Sequence, residues 1–498
     1  MIQGLPCSFC TTFYIHISRR EEKNLYKYEN GDIVFPPPTY DDREHFCKRF
    51  NKRMTYNHAK LQEADKVDNY MNWIKIGFFL IVLFLLAAAC STSPKLENTD
   101  GQKVRLTMQA WGNPAEVKVY QRALDAFEKE NPNIEVKLVP VPGDQYEQKL
   151  LTQLQGSRGP DVFYSYEPTI ARLIGAKQVQ PLGEFLKSDA SDVKAEDFPE
   201  GLWGPAKRDG EIYGVTPDSN PMVMYYNKKV FKDASVKTPQ EYYDEGKWNW
   251  DAFEEVTSKL KAAGKQGYIA ENWWAHWYSW VWSNGGRIFD EQGKYVLDHN
   301  EKGKEAFGFM YDMVKKGNAV YLGSLPKGQG ADAMFMSNQV GMLAAGRWLE
   351  PLFSQNKSLD FDYIYWPSNT GKNEPVAIPV AYVAVNKNSP HVQEAMKLAA
   401  FYVSVKGQEA RLVEGGNAMG TLAAADESIM KTAKIGHSSY LTEGRDKGHA
   451  HGSALAYDAQ IPGLNSDITE TIDLMFLGKQ DAAATIEKLN QIISKAVK

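Results

Sequence analysis

From Val104 onward, apolar and polar positions change period in a regular order. Val104, Leu106, Met108 and Ala110 alternate with polar neighbours, the period of a strand with one buried face. Between Asn113-Pro114 and Asn131-Pro132 the apolar residues Val119, Ala123 and Phe127 recur at helical spacing. Ile134, Val136 and Leu138 alternate again, Tyr146, Leu150 and Leu154 return to the helical period, and Pro160-Asp161-Val162-Phe163-Tyr164 opens a third short apolar run. The order β-α-β-α-β predicts a parallel sheet with helices on its faces, and ligands of open α/β sheets sit beyond the carboxyl ends of the strands. Trp111 and residues 164–167 occupy such ends. Asn249-Trp250-Asp251 then leads into Phe253, Val256 and Leu260 as a capped helix, and Ala306, Met310, Met313 and Val314 stripe another before Gly317. A second strand region, Val380 to Val385, follows roughly 150 residues of mostly helical periodicity. Ala482 to Val497 is an amphipathic helix with Ile486, Leu489, Ile492 and Ile493 on one face.

Upstream, the uninterrupted apolar run from Ile76 to Ala89 is short for a bilayer span and suits a signal-peptide core, with an uncleaved signal anchor as the alternative. It ends in Ala87-Ala88-Ala89-Cys90, which resembles a bacterial lipobox, although Leu86 stands one place further from the cysteine than that motif prefers. Residues 71–89 are thus expected to be a lipoprotein signal peptide, Cys90 the acylated residue, and 90–102 a polar tether. Met71-Asn72-Trp73-Ile74-Lys75 would suffice to begin such a signal. Residues 1–70 carry Pro36-Pro37-Pro38 and no sustained period, so they are expected to be an upstream extension from a start site placed too early, or a disordered leader; a true cytoplasmic segment is the competing reading.

The cysteines agree with that division. Cys7, Cys10, Cys47 and Cys90 are the whole set, so the rest of the chain can hold neither a disulfide nor a thiolate metal site. The Cys7-x-x-Cys10 pair lacks a second pair or a histidine cluster and receives no function. With 43% apolar and 24% charged residues the chain is globular, large enough for one large or two ordinary domains, and excluded from the collagen, coiled-coil and disordered classes. Its formal charge is −5 and no basic block is long enough for nucleic acid. No phosphate-binding loop and no G-x-S-x-G elbow occur, so the chain is not an ATPase. Aromatic residues reach 12%, with 12 tryptophans, a surplus that must be core or ligand surface.

Several stretches resemble, in order, landmarks of the extracellular solute-binding proteins, family 1, the sugar-binding components of ABC importers. They include Trp111-Gly-Asn-Pro, Phe127-Glu-Lys-Glu-Asn-Pro-Asn-Ile-Glu-Val, Gly159-Pro-Asp-Val-Phe, Ile212-Tyr-Gly-Val-Thr-Pro, Tyr225-Tyr-Asn-Lys-Lys-Val-Phe, Trp250-Asp-Ala-Phe, Asn284-Gly-Gly and Gly346-Arg-Trp. The resemblance covers residues 103–498. It implies a type II periplasmic-binding-protein-like α/β fold: two lobes, each a sheet flanked by helices, joined by hinge crossovers around a central cleft. Carried over, lobe one is 103–217 with 366–425 and lobe two is 218–365 with 426–498. The crossings would lie in Pro217-Asp218-Ser219-Asn220-Pro221, near Tyr365-Trp366-Pro367 and around Ala424. The implied function is capture of a mono- or oligosaccharide by hinge closure and delivery to permease subunits. Differential affinity for the closed state would drive the closure. The resemblance further implies an extracytoplasmic monomer held to the membrane through Cys90, without catalysis, cofactor or metal.

Sugar recognition needs flat apolar faces for the pyranose ring and planar polar groups for its hydroxyls. Trp348, in Gly346-Arg347-Trp348, stands where the family places a stacking aromatic, with Arg347 beside it. Five tryptophans fall between 273 and 282: Trp277 and Trp280 share a helical face with Trp273 and are assigned to packing, while Trp273 and Trp274 open the segment beside Glu271 and are ligand candidates. Trp111, Tyr164, Ser165 and Glu167 lie at strand ends; Asp218, Ser219 and Asn220 lie on the first crossing; Tyr382 lies in the second strand region. Asn113 beside Trp111 could bind a hydroxyl, though a helix N-cap before Pro114 is the plainer role. Asp161 is read as structural, Tyr225-Tyr226 as strand packing rather than metal ligation, and His449-Ala-His451 as a polar loop. A secreted glycosidase, with a carboxylate pair drawn from Glu116, Glu167, Asp218, Glu271 and Glu350, is the main alternative. A binder of a non-sugar solute is a third reading, disfavoured by the tryptophan surplus.

Overall fold

The computed structural model describes residues 28–29, 32–33, 103–156, 159–290, 293–326, 328–431, 436–451, 461 and 463–496. The chain divides into two compact units, Met1–Thr99 and Asp100–Lys498. In the first, Tyr28–Glu29 pairs antiparallel with Asp32–Ile33. The expected signal peptide, Cys90 and tether lie outside the described residues. Among the described residues no helix is long and apolar enough to cross a membrane.

In the second unit the opening alternation becomes strands β1 (Val104–Trp111), β2 (Ile134–Val141) and β3 (Val162–Tyr166). Helices α1 (Pro114–Glu130) and α2 (Gly143–Gln155) connect them. Asn113 caps α1: its Oδ1 accepts from the Ala115 and Glu116 amides, and Glu116 returns a carboxylate to the Asn113 amide at 2.9 Å, a closed capping box with Pro114 at the first helical position. Asp161 ties the entry of β3 to β1, accepting from the amide and hydroxyl of Thr107 at 2.7 and 2.8 Å and from Ser389 at 2.6 Å. The second strand region supplies β9 (Ala381–Val385), which pairs antiparallel with β3 and completes the order β9-β3-β1-β2.

The stretch of mostly helical periodicity holds the second sheet that the resemblance implied and the periodicity did not mark. Its strands are β4 (Val223–Asn227), β5 (Gln266–Ala270), β6 (Ala319–Tyr321), β7 (Val340–Ala345) and β8 (Phe361–Ile364), in the order β6-β5-β7-β4-β8. They escaped because every residue of β4 and β7 is buried, so no apolar-polar alternation marks a face. Met222, just before β4, and Met224 and Tyr226 on it enter one core while Val223 and Tyr225 enter the other. The two tyrosines therefore pack, and the Tyr225 hydroxyl donates to the Gly346 carbonyl at 3.0 Å. Helix α3 (Trp250–Ala262) is capped by Asn249 as expected, and α4 (Trp274–Ser283) is buried along its whole length. A helix apolar on all sides belongs in a core, and Trp274, Trp277, Trp280 and Trp282 all join it.

The chain leaves the first sheet after Val215, which bridges to Val383, and enters the second where the Met222 amide donates to the Ala377 carbonyl at 3.1 Å. Pro217 to Pro221 between them are buried, so this is not a solvated turn. The return crossing differs from the expected boundary. Trp366, Val376 and Ala377 still pack in the second core, and Ile378 is the next core residue to join the first. Trp366 is held back by edge contacts with Trp280 and His276, at ring separations of 5.2 and 6.2 Å. His449 and His451 end a helix, α5 (Ser439–His451), rather than lying in a loop; the His451 ring packs on Trp282 at 4.3 Å. The C-terminal helices α6 (Leu464–Phe476) and α7 (Ala482–Ala496) cover the second core.

Candidate functional site

The carboxyl ends of the first sheet and the crossings open on a cavity of about 750 Å³. On the first lobe's side Trp111 ends β1 and stacks on Tyr166, which ends β3, with ring centroids 3.9 Å apart and planes 13° from parallel. Gly112, at φ +147°, turns the chain straight from Trp111 into α1 and brings Glu116 to the same rim. Glu167 follows Tyr166, and its carboxylate accepts from the Val380 amide at 3.0 Å. Glu147 accepts from the Thr169 hydroxyl at 2.9 Å.

The opposite wall is aromatic. Trp273 meets Trp348 edge-on at 5.9 Å and Trp274 at 6.1 Å; Trp273 and Trp348 are both half-buried. Trp348 folds back over Gly346 so closely that a Cβ there would lie 2.1 Å from its ring, and glycine is required. Glu271 and Asp332 join this wall. Burial, aided by the Asp332 charge, pushes the Glu271 carboxyl up to about 7. Burial alone drives His276 down to about 3, so its ring is neutral, and its Nδ1 has no partner.

The crossings supply the floor. Asp218 is ion-paired with Arg411 at 2.5 Å, and Arg411 also donates to the Pro217 carbonyl at 2.5 Å. Burial pushes the Asp218 carboxyl up while the guanidinium pulls it back down. Asn220 accepts from the Met419 amide at 3.0 Å, and the Ser219 amide donates to the Met419 carbonyl at 3.0 Å, which binds two crossing segments side by side.

The family described as bacterial extracellular solute-binding protein matches over residues 111–409. The chain belongs to this family. Among its relatives, a binding protein of Brucella abortus is 26% identical over 216 residues, 42% of this chain and 49% of that one. An arabinooligosaccharide-binding protein of Halalkalibacterium halodurans is 28% identical over 40% of this chain and 43% of its own. An sn-glycerol-3-phosphate-binding periplasmic protein of Pectobacterium atrosepticum is 27% identical over 40% and 46%. The chain spans about half the length of the curated relatives it matches. Among solved structures, an ABC substrate-binding protein of Listeria monocytogenes in complex with cycloalternan superposes with a TM-score of 0.68 at 20% identity, over 79% of this chain and 99% of that one. The fold of this solute-binding protein is therefore the type II periplasmic-binding-protein fold.

Of the residues expected from sequence, the cavity gathers Trp111, Glu167, Asp218, Asn220, Glu271, Trp273, Trp274 and Trp348. The other six lie elsewhere in this solute-binding protein. Asn113 is spent on its capping box. Tyr164 is buried, its hydroxyl bonded to that of Tyr402 at 3.0 Å, because the helix Val392–Val403 covers the body of the sheet and leaves only strand ends open. Ser165 pairs with Tyr382 across β3 and β9, and the Tyr382 hydroxyl points away to the Leu202 and Trp203 carbonyls. Ser219 turns to His449 Nε2 at 2.5 Å. Arg347 is fully buried against Glu350 and the Ala418 carbonyl, each at 3.0 Å, so Glu350 is also withdrawn from the site. Glu116, Glu147, Tyr166, Thr169, His276, Asp332, Asn417 and Asn465 line the cavity without having been singled out as ligand contacts. Glu116 was findable, since it sits in the first turn of the helix that follows β1; Asn417 lies in a loop with no local signal.

The raised Glu271 value has a definite sign for stability. A carboxyl whose folded-state pKa of about 7 exceeds its ordinary 4.5 stabilises the fold fully below 4.5 and loses that contribution as pH rises through 7. Relative to the native protein, Glu271→Gln should leave the melting temperature unchanged at pH 4 and raise it at pH 8, a gain of about 1–3 kcal/mol. Melting curves at both pH values check this; an equal gain at both would show that ionisation of Glu271 is not its source.

Proposed function

We propose that this chain is the carbohydrate-capturing component of an ABC importer. The observation that carries the reading is the pairing of flat aromatic faces, Trp273 and Trp348 on one wall and Trp111 on the other, with carboxylates and amides in one cavity. That combination suits a sugar, whose ring faces are apolar and whose edges carry hydroxyls. A phosphate-bearing solute, the kind named for the Pectobacterium relative, would call for cations, and no lysine or arginine among the described residues lines the cavity.

In this reading residues 103–217 with 378–425, and 218–377 with 426–498, are lobes that close on the sugar by hinging at the crossings. Trp111, Glu167, Asp218, Asn220, Glu271, Trp273, Trp274 and Trp348 form the binding surface. The protein acts as a monomer without catalysis, is acylated at Cys90 after removal of residues 71–89, and hands its cargo to permease subunits. Family membership and the polar stretch after Cys90 support the arrangement.

A thermal-shift panel of mono- and oligosaccharides on residues 91–498, with product analysis of each hit, tests the reading. A ligand specific to the folded state at a hundred times its Kd stabilises by about 2.7 kcal/mol. At least one sugar is expected to raise the melting temperature and to be recovered intact. A cleaved sugar would transfer the reading to a glycosidase, and silence across the panel would end it.

A further inference from the structure

The cavity lining is one-sided in charge. Glu116, Glu147, Glu167, Asp218, Glu271 and Asp332 face it, against no lysine or arginine among the described residues. Four of the six already have protein donors. Asn113 serves Glu116, Thr169 serves Glu147, Val380 serves Glu167 and Arg411 serves Asp218. The side chains of Glu271 and Asp332 make no hydrogen bond or ion pair with a described residue, and the Asp332 charge bears on Glu271.

Two neutral acceptors on the same lining are sealed within the protein. Asn417 is buried, 3% exposed, lines the cavity, and its Oδ1 has no donor; the Oδ1 of Asn465 on the same lining is likewise unserved. What the lining lacks is positive charge: indole and amide N–H groups and the Tyr166 hydroxyl are present on it, but no cation is among its described residues. An ammonium group supplies three donors and one charge in a compact head, whereas a carboxylate or phosphate would add acceptors and like charge to a site that holds no described cation.

We propose that the cargo is an amino sugar, a glycan whose primary amine binds between Glu271 and Asp332 while its ring lies against Trp273 and Trp348. The proposal rests on the carbohydrate reading above and narrows it by charge. Uronic acids and sugar phosphates are excluded by the same lining.

Calorimetric titration of the full chain with tetrasaccharides of glucosamine, N-acetylglucosamine, glucose and glucuronate tests it. The glucosamine form should bind at least tenfold tighter than the N-acetylated and neutral forms, and the glucuronate form should not bind. In Glu271→Gln, Asp332→Asn and the double variant, each checked for an intact melting transition, the ratio of amine to neutral affinity should fall towards one. Because Asp332 is only half-buried on a short surface helix, Asp332→Asn keeps the test available if the Glu271 variants unfold. Neutral or acidic sugars binding as well as the amine, or a ratio that survives the variants, would overturn the amine site while leaving sugar capture standing. Failure of all four forms would overturn the amino-sugar cargo, and the wider panel then decides sugar capture separately.

Discussion

Trp348→Ala should weaken binding of a stabilising sugar by about thirtyfold to a thousandfold, or about 2–4 kcal/mol, the loss typical of a central aromatic anchor. The tryptophan is half-buried, so its removal opens the cavity wall more than it opens a core. Trp277 is the internal control: it is 1% exposed, absent from the cavity lining, and packed within α4. Trp277→Ala should lose about 3–5 kcal/mol of stability. Titration calorimetry and denaturant melts on the two variants separate the effects. Unchanged affinity in Trp348→Ala would remove that residue from the binding surface.

Arg411→Ala should destabilise the fold by about 3–5 kcal/mol, because it leaves Asp218 buried without its cation. The guanidinium is wholly buried, bonds both Asp218 and the Pro217 carbonyl, and lies 5.1 Å over the Tyr402 ring. Its loss thus frees the first crossing from the first lobe. Adding Asp218→Asn to Arg411→Met should recover part of the stability, since a neutral amide is far cheaper to bury than an unpaired carboxylate. A urea series on the single and double variants reads this directly, and equal stability of Arg411→Ala and the native protein would deny the pair its role.

The first sheet was legible in the sequence because β1 and β2 alternate apolar with polar residues, Arg105, Glu135 and Lys137 standing exposed between buried Leu106, Ile134 and Val136, and Asn113 and Asn249 announced their helices. The second sheet was implied by the resemblance but not marked by periodicity, because β4 and β7 are covered on both faces and read as plain apolar runs. The same logic divides the site. Strand ends named Trp111 and Glu167, while the resemblance supplied the crossing with Asp218 and Asn220 and the place of Trp348. Periodicity, however, tells which face a residue takes and not how far along the strand the covering helix reaches. Tyr164 and Tyr166 share a face of β3, yet Tyr402 covers the first and leaves the second at the cavity. Glu147, Asp332 and Asn417 arrive from separate elements, so only the folded chain assembles them.

The edge strand β9 returns to the first sheet only after the whole second sheet has been built into the chain. The contact between Glu167 and Val380 spans 213 residues. Closing so long a loop is entropically costly and slow, but a folded second lobe shortens it, because Met222 and Ala377 are already hydrogen-bonded at its base. The first lobe therefore completes itself last: in pulsed hydrogen exchange during refolding, the amides of β5 and β7 should gain protection before those joining β3 to β9. A chain released with its second lobe unfinished would carry an open β3 edge, the kind of unpaired strand that chaperones and aggregates both recognise.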